Sequence, residues 1–305
     1  MKLLINDNPV DMQLQGEQTA FEVVRQLDGW LAEQGHALIG LAINDEVVEL
    51  AATAWRATPV SAIEVMAVDA PNQHQLRLAN LVVLNEYAES LNSQLLALSN
   101  GQSTLPAILE AIKRYPEVKP ALSYLSDSQG NTGKPDGFAI ETDRIFAESY
   151  QGDGSFNASI LPLMARQVNA MMVLSADRIN EATKPVHEAR TTAAILQELM
   201  PRLGMVSTHI LTGNAKEAFD TILQFSELLA KLLRLFWLML ENLAPGAEAP
   251  YSRQDLQDWA RMVNECLNQI TAALDGQDTV MLGDLLEYEL PQHIEKLISL
   301  IPDQE

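Results

Sequence analysis

The sequence of 305 residues predicts a small α+β unit followed by a mostly α-helical bundle built from αα-hairpins. The alternation of apolar and polar residues that is typical of half-buried strands is confined to about the first 70 residues. From about residue 76 onward, apolar residues recur every three or four positions, as they do on the buried face of a helix. Several of these helical stretches are separated by polar turns that contain glycine, which is a common way to end a helix.

The first unit is predicted to contain four strands and one helix. The segment "KLLIN" is a short strand, "NDNP" is a turn signal, and "VDMQLQ" alternates as a second strand. A helix follows and ends at Gly35, with a buried stripe formed by Phe21, Val24, Leu27 and Leu31. The segments "HALIGLAIND", with a turn at Asn44-Asp45, and "AIEVMAVDA" are the remaining strands. This order of elements over residues 1–72 is that of a β-grasp domain.

Three segments of this unit resemble a known family. "MKLLINDNPVDMQLQGEQTAFEVVRQLD", "LAINDEVVELAATAW" and "IEVMAVDA" are similar to the ubiquitin-like sulfur carriers of thiamine and molybdopterin synthesis. The resemblance implies a β-grasp docking module with an exposed sheet face. Those carriers react through a free C-terminal Gly-Gly, whose carboxylate is adenylated and converted to a thiocarboxylate. The corresponding residues here are Val68-Asp69-Ala70-Pro71 in mid-chain, so we expect the carrier's shape without its chemistry.

Helices are predicted for most of the remaining chain, in three regions. Residues 75–125 are predicted as a helical hairpin region, with a long apolar stripe that ends near Asn100-Gly101. Residues 126–156 are rich in Gly, Ser, Asp and Asn at both ends and are predicted to be an irregular linker or loop. Residues 157–305 are predicted as a helical bundle, in which Pro185 bends or restarts a long helix.

Two stretches of this bundle resemble each other. Residues 208–236 can be laid over residues 270–301 with Gly213 on Gly276, and each stretch then reads as helix, polar turn with glycine, helix. This register pairs Phe219 with Leu282, Ile222 with Leu285 and Phe225 with Tyr288. A fainter third copy has Gly101 at the glycine position. Such hairpins must stack on one another or on a partner, and whether they arose by duplication stays open.

The most apolar stretch of the chain is Ile222–Leu240, where apolar side chains surround most of the predicted helix. A possible interaction surface in it comprises Leu232, Leu235, Phe236, Trp237 and Met239. Either this is the central helix of the bundle, or part of it is an oligomer interface. Charged residues such as Lys231 and Arg234 interrupt the stretch, and each would cost about 2.5 to 3.5 kcal/mol at mid-membrane depth. We therefore expect a buried or interface helix rather than a membrane span.

The polar cluster that most suggests a site lies in "PVHEAR", where His187, Glu188 and Arg190 follow a proline inside a predicted helix. Bundle cores house functional polar groups of this kind. The alternative is ordinary salt bridging on a helix surface, where ion pairs are common and contribute little.

Other polar residues give weaker indications. Glu33 and His36 have the Glu-x-x-His spacing of carboxylate-bridged metal sites, but such sites need that spacing twice. Asp284 and Glu287 share a helix face and are interpreted as a solvated acidic surface. Cys266 lies on an apolar stripe and is interpreted as a structural thiol. The sequence contains no nucleotide-binding, nucleophile-elbow or zinc-protease motif, so we predict no catalytic residue, no cofactor and no metal.

Composition narrows the classes of partner. The formal net charge is −21, which repels phosphate backbones and anionic lipid surfaces, so neither a nucleic acid nor a membrane is expected as a partner. The single cysteine leaves no internal disulfide, and the N-terminal segment lacks the apolar core of a signal peptide, so a cytoplasmic location is predicted.

Three functional hypotheses remain. The leading one is a non-enzymatic adaptor or scaffold that acts through contacts with a protein partner or with its own copies. The second is a small-molecule or metal-binding bundle, with or without enzymatic activity, centred on His187. The third is a partner of sulfur-transfer enzymes that uses the carrier-like surface.

Overall fold

The structure, a computed structural model, describes residues 1–12, 16–101, 105–125, 137–149, 156–241 and 251–302. The chain divides into two compact units, Met1–Asn80 and Leu81–Glu305. A five-stranded sheet characterises the first unit, and the second is helical in its described residues. The predicted α+β arrangement, a strand-containing N-terminal unit followed by a mostly helical region, is confirmed.

The sheet of the first unit is mixed and has the strand order β2-β1-β5-β3-β4. Its strands are β1 (Lys2–Ile5), β2 (Asn8–Val10), β3 (Gly40–Ile43), β4 (Glu46–Val48) and β5 (Val65–Asp69). The central strands β1 and β5 are parallel, and the other pairs are antiparallel. This topology is consistent with a β-grasp-like fold. It contains one strand more than expected, because β4 returns along β3 from the turn at Asn44-Asp45.

The second strand lies earlier than the alternation in "VDMQLQ" predicted, because Asn8 and Pro9, expected in the turn, pair with β1. It ends at Val10, and Asp11 and Met12 are not paired in the sheet. The remaining residues of that segment, 13–15, lie outside the described part of the chain.

Both hairpins of the sheet turn through a pair of residues in the left-handed conformation. The φ angles are 50° and 64° at Asn6 and Asp7, and 51° and 66° at Asn44 and Asp45. Positive φ at both central residues characterises a type I′ turn, whose twist matches that of the flanking strands. Asparagine and aspartate tolerate this conformation better than most residues, which explains why an Asn-Asp pair occurs at each turn.

The two turn asparagines also hold the ends of the central strand β5. The Asn6 side chain accepts a hydrogen bond from the Ala70 N–H (2.7 Å) and donates one to the Ala70 carbonyl (3.0 Å). At the opposite end of β5, the Asn44 side-chain oxygen accepts hydrogen bonds from the N–H groups of Glu64 (2.7 Å) and Val65 (3.2 Å). Because each asparagine bonds to backbone more than 17 residues away in sequence, these contacts fix the ends of β5 against both hairpins.

Helix α1 (Ala20–Glu33) packs its apolar face into the core of the sheet unit. It begins with a capping box, in which the Thr19 side chain accepts from the Glu22 N–H and the Glu22 carboxylate accepts from the Thr19 N–H. Phe21, expected on the buried stripe, is 40% exposed, because the buried face starts at Ala20 and continues through Val23. The Phe21 ring instead lies 6.3 Å from the Trp55 ring, at the edge of the core.

The helices that follow β5 are α2 (Gln73–Ser99), α3 (Leu105–Lys113), α4 (Tyr115–Val118), α5 (Gly137–Glu148), α6 (Leu161–Thr183), α7 (Pro185–Gly204), α8 (Val206–Leu211), α9 (Ala215–Glu241), α10 (Arg253–Asp275), α11 (Thr279–Asp284) and α12 (Leu290–Ile298). A π-helical turn, Leu285–Glu289, joins α11 to α12. Pro185 starts α7 as a first-turn residue, so the expected restart at this proline is confirmed. Two separate apolar cores occupy the helical unit, one formed by α2–α5 with the first half of α6, the other by α7–α12.

The irregular linker expected over residues 126–156 contains helix α5, so the prediction is wrong for Gly137–Glu148. The helix forms because Ile145 and Phe146 are buried against α2 and α4 in the first core, where Phe146 stacks on Tyr115 with ring centroids 4.0 Å apart. Residues 126–136 and 150–155 lie outside the described part of the chain.

The glycine expected to end a helix in each hairpin does so in one of the two main copies. Gly213 has φ 84° and is followed by Asn214 at the start of α9. In the second copy Gly276 has φ −79°, and Gln277 takes the left-handed conformation instead, with φ 56°. Asp278 follows it and caps α11 through a hydrogen bond from the Met281 N–H. The structural counterpart of Gly213 is therefore Gln277, one residue later than the sequence register placed it.

This shift corrects the register of the whole repeat. The predicted pair Phe219 and Leu282 is wrong, since Phe219 is 57% exposed and Leu282 is 1% exposed. When the register is moved by one residue, buried positions before the π-helical turn match: Ala218 with Leu282 and Thr221 with Leu285. The π-helical turn inserts one further residue. After it, the matching buried pairs are Phe225 with Leu290, Leu229 with Ile294 and Leu232 with Leu297. The two hairpins thus bury matching positions only when the π turn is taken into account, and duplication stays a hypothesis.

Helix α9 is the central helix of the second core. Leu232, Leu235 and Phe236 are fully buried, Met239 is 7% exposed, and Trp237 is partly buried. The possible interaction surface proposed for these five residues is therefore wrong, because they pack against α7 and α10 of the same chain. Within the described residues, no helix is both long enough and apolar enough to cross a bilayer.

Candidate functional site

A cleft with a volume of about 790 Å³ opens in the helical unit among α6, α7 and α9. Its apolar lining residues are Leu174, Ile195, Leu199 and Leu228, and its charged lining residues are Asp177, Arg178, Glu198, Arg202, Glu227, Lys231 and Arg234. Cavities of this size accommodate ligands or the side chains of a partner. The charged residues form three groups, which differ in burial and in partners.

The first group is a buried ionic triad at the base of the cleft. Glu181 on α6 is 0% exposed, and Arg178 on α6 and Arg234 on α9 are each 8% exposed. The Glu181 carboxylate accepts hydrogen bonds from Arg178 Nη1 (2.9 Å), Arg234 Nη2 (2.9 Å) and Arg234 Nε (3.3 Å). Arg178 Nη2 also donates to the Leu125 carbonyl at 3.2 Å. The triad therefore connects α6, which begins in the first core, to the central helix of the second.

The second group surrounds Lys231, which joins all three helices of the cleft. Its Nζ lies 2.8 Å from Asp177 on α6 and 3.0 Å from Glu188 on α7. Burial opposes the charge on Asp177, but the hydrogen bond and charge of Lys231 outweigh it and lower the pKa of the Asp177 carboxyl. Burial likewise opposes the charge on Lys231, but the two carboxylates outweigh it and raise the pKa of the ammonium. Both groups are therefore charged at neutral pH and satisfy each other.

The third group forms the outer rim and makes no ion pair among the described residues. Glu198 on α7 and Glu227 on α9 are exposed and make no ion pair with any described residue. Arg202, also exposed, has hydrogen bonds to Gln224 Oε1 (3.4 Å) and Thr221 Oγ1 (3.5 Å), both near the limit for a hydrogen bond. Two carboxylates and one guanidinium of the rim are thus available to an incoming molecule.

Apolar side chains extend the rim along α9. Leu223 and Phe219 are 59% and 57% exposed, and they precede Glu227 at successive intervals of four residues. Residues four apart lie on one helix face, so these two side chains continue the line of Glu227 beyond the cleft. Ile195, on the α7 side of the cleft, is 46% exposed. The rim therefore combines exposed apolar and charged groups.

The predicted polar cluster is divided by the structure. Glu188 joins the ionic network of the cleft through Lys231. His187 is exposed and does not line the cleft, and Arg190 donates through Nε and Nη2 to the Pro302 carbonyl. One of the three residues thus belongs to the candidate site, and the other two lie on the outer surface of α7.

The residues at the base of the cleft were missed by sequence reasoning. Arg234 stands among apolar residues of α9, and a charge on such a stripe is an available signal for a buried ion pair, whereas Arg178 and Glu181 have the polar neighbours Asp177 and Asn180 and give no such signal. In α9 the charge of Arg234 argues against a membrane span. Its contact with Glu181 on α6, which also binds Arg178, shows that the same charge belongs to a buried ion pair. The distance in sequence between Glu181 and Arg234, 53 residues, is what concealed the pairing.

Three other residues considered in the sequence analysis, Asp284, Glu287 and Cys266, do not line the cleft. Asp284 and Glu287 are exposed, and Cys266 is 1% exposed. Burial and the nearby Glu289 carboxylate raise the pKa of the Cys266 thiol to about 11, so it is a neutral core side chain at neutral pH. Among the described residues, no three His, Cys, Asp or Glu side chains are grouped so that they could hold a metal ion.

In the first unit, the segment Val68-Asp69-Ala70-Pro71 is held by several hydrogen bonds. Ala70 is 0% exposed, and its carbonyl lies 3.0 Å from Asn6 Nδ2 and 2.8 Å from His36 Nδ1. The chain continues through Pro71, whose carbonyl accepts from the Ala37 N–H at 3.0 Å, into helix α2. His36 therefore has a structural role in holding this segment.

Comparison with known families matches two parts of the chain. Residues 1–71 match a family described as the TP0873 N-terminal domain, and residues 187–300 match a family described as a domain of unknown function, DUF8042. The second match starts in α7 and includes α9, so it covers two of the three helices that line the cleft. Comparison with curated proteins and with solved structures gives no match.

Proposed function

We propose that the protein is a non-enzymatic adaptor that binds a partner protein in the cleft formed by α6, α7 and α9. The observation that carries this proposal is the rim of the cleft, in which Glu198, Glu227 and Arg202 make no ion pair among the described residues and stand beside exposed apolar side chains. Exposed apolar groups rimmed by polar side chains are typical of surfaces that bind other proteins.

The charges at the base of the cleft support binding rather than chemistry. Glu181 is held by two guanidinium groups and Lys231 by two carboxylates, so each charge is already compensated within the fold. Such groups keep the floor of the cleft in one arrangement and do not offer a free acid, base or nucleophile. The alternative hypothesis, a ligand- or metal-binding bundle centred on His187, stays a prediction.

The first unit is proposed as a second docking module. Its sheet is consistent with the β-grasp shape, and the similarity of its sequence to ubiquitin-like sulfur carriers suggests that the shape is retained for binding. The edge strand β4 carries Val47, which is 84% exposed. The buried amide of Ala70 is an internal peptide group, so the module has no carboxylate to activate at this position.

Location and ligand class complete the proposal. We propose a cytoplasmic location, because a chain with one buried cysteine forms no internal disulfide, the bond that an oxidising compartment favours. Nucleic acids are not proposed as partners, because a net charge of −21 repels their phosphates.

A capture experiment with two matched variants tests the adaptor function. Ile195→Asp places a charge on the rim of the cleft, and Leu96→Asp places one at a similarly exposed position of α2 that does not line it (46% and 57% exposed). We expect the wild type and Leu96→Asp to retain the same proteins from the native cell, and Ile195→Asp to lose at least one of them. Retention of an identical set by all three proteins would contradict the proposal.

A further inference from the structure

We propose that the partner segment held in the cleft is a basic amphipathic helix, and this inference rests on the adaptor function proposed above. The shape of the rim is the first argument. Ile195, Glu198 and Arg202 are three to four residues apart and form one line along α7, and Gln224, Glu227 and Lys231 form another along α9. Each line spans about 10 Å, which is two helical turns.

The apolar side chains define what the partner must bury. Phe219 and Leu223 are exposed and extend the α9 line, which from Phe219 to the partly buried Lys231 is about 18 Å long. Ile195 faces the cleft from α7. A helix of three to four turns with one apolar face fits a groove of this length, and it satisfies its own backbone hydrogen bonds while doing so.

The charges of the cleft indicate the charge of the partner segment. Arg178, Lys231 and Arg234 all contact carboxylates of this chain, whereas Glu198 and Glu227 contact no cation among the described residues. The chain carries a net charge of −21, so its long-range field adds to the attraction of these two carboxylates for a cation. A second copy of the chain would bring the same negative charge to the cleft, which disfavours self-association there.

Arg202 can be used to test whether the partner segment is basic or acidic. It is the one cation of the cleft that contacts no carboxylate among the described residues, and it lies beside Thr221 and Gln224. Next to a basic helix its charge is repulsive, so its removal should improve binding. Next to an acidic ligand its charge is attractive, so its removal should weaken binding.

The experiment uses the full-length protein and three synthetic peptides of about 18 residues, with binding followed by fluorescence anisotropy. The first peptide is amphipathic with leucines on one face and lysines on the flanks, the second carries glutamates instead of lysines, and the third has the composition of the first in scrambled order. We expect the first to bind at least about tenfold more tightly than the other two at about 0.15 M salt, because only it matches both the apolar stripe and the carboxylates.

Variants then locate the binding. The double variant Glu198→Gln/Glu227→Gln should weaken binding of the basic peptide about twofold to tenfold, Arg202→Gln should strengthen it, and Leu96→Asp should leave it unchanged. Equal binding of the scrambled peptide would overturn the proposal, because the attraction would then come from net charge alone.

The outcomes also separate this inference from the adaptor function. Tighter binding of the acidic peptide, weakened by Arg202→Gln, would overturn the basic assignment and leave a protein-binding cleft. Binding of none of the peptides would overturn the helix assignment, whereas the adaptor function is decided by the capture experiment with Ile195→Asp. Sedimentation that shows a dimer lost in Leu223→Asp would replace the partner helix with a second copy of the chain.

Discussion

Neutralising the buried carboxylate at the base of the cleft should destabilise the helical unit strongly. Glu181 is 0% exposed and accepts three hydrogen bonds from Arg178 and Arg234, each of which is 8% exposed. The substitution Glu181→Gln removes the buried carboxylate that Arg178 and Arg234 share, and of the two arginines Arg178 retains the Asp177 carboxylate at 3.5 Å. Breaking a buried ion pair on one side costs about 3 to 5 kcal/mol, and we expect a loss in this range.

Chemical denaturation followed by the helical circular-dichroism signal measures this loss, since the second unit carries most of the helices. Glu198→Gln is the matched control, because Glu198 is an exposed glutamate of the same cleft without an ion pair among the described residues, and it should change the free energy of unfolding by less than about 0.5 kcal/mol. A loss below about 1 kcal/mol for Glu181→Gln, or a loss equal to that of the control, would refute the reasoning.

A triple variant separates charge from packing. Arg178→Met/Glu181→Leu/Arg234→Met removes all three charges and keeps similar side-chain volumes. Because the desolvation cost of three charges is then no longer incurred, we expect a stability equal to that of the wild type or about 1 to 4 kcal/mol higher. A severe loss in the triple variant would show that geometry, and not the loss of the Glu181 charge, explains the effect of Glu181→Gln.

Three further predictions concern other parts of the chain. Asn6→Ala should cost about 2 to 3 kcal/mol in the sheet unit, measured by denaturation, because the buried N–H of Ala70 loses its acceptor; a loss below about 0.5 kcal/mol would contradict the clamp. Gln277→Gly should raise the thermal stability of the helical unit by about 1 kcal/mol, because glycine adopts the φ of 56° without strain, and an unchanged melting temperature would count against this turn geometry. Because the pKa of Asp177 is lowered in the folded state, its pair with Lys231 stabilises the fold above the ordinary carboxyl pKa, and this contribution is lost as the pH falls through the lowered value. Asp177→Asn should therefore lose less stability than the wild type between about pH 5 and pH 3, and parallel acid profiles would disprove the linkage.

The sheet unit was largely predictable from its sequence because its signals are local. The two Asn-Asp turns predicted the hairpin positions, and the segments that form β1, β3 and β5 were predicted as strands. What the local pattern did not contain was the edge strand β4 and the early end of β2. Both depend on pairing with a neighbouring strand, which is a property of the assembled sheet and not of the segment.

The helical unit was predicted in kind but not in register. Apolar spacing indicated helices correctly, yet it could not show that a π turn at Leu285–Glu289 inserts one residue, because such a turn changes hydrogen bonding without changing composition. The candidate site was predicted through Glu188 alone. The partners of Glu181 and Lys231 lie on helices that are distant in sequence, so their contacts follow from tertiary packing.

The parallel pairing of β1 and β5 has a consequence for how the first unit bears mechanical force. Lys2 lies beside Val65 and Ile5 beside Val68, so the start of β1 and the end of β5 lie at opposite ends of this strand pair. A pull between Lys2 and Asp69 therefore loads the hydrogen bonds of this pair in shear, and they must rupture together instead of opening one by one. We expect the unit to withstand a higher force when it is pulled between Lys2 and Asp69 than when an edge strand is pulled away from the sheet.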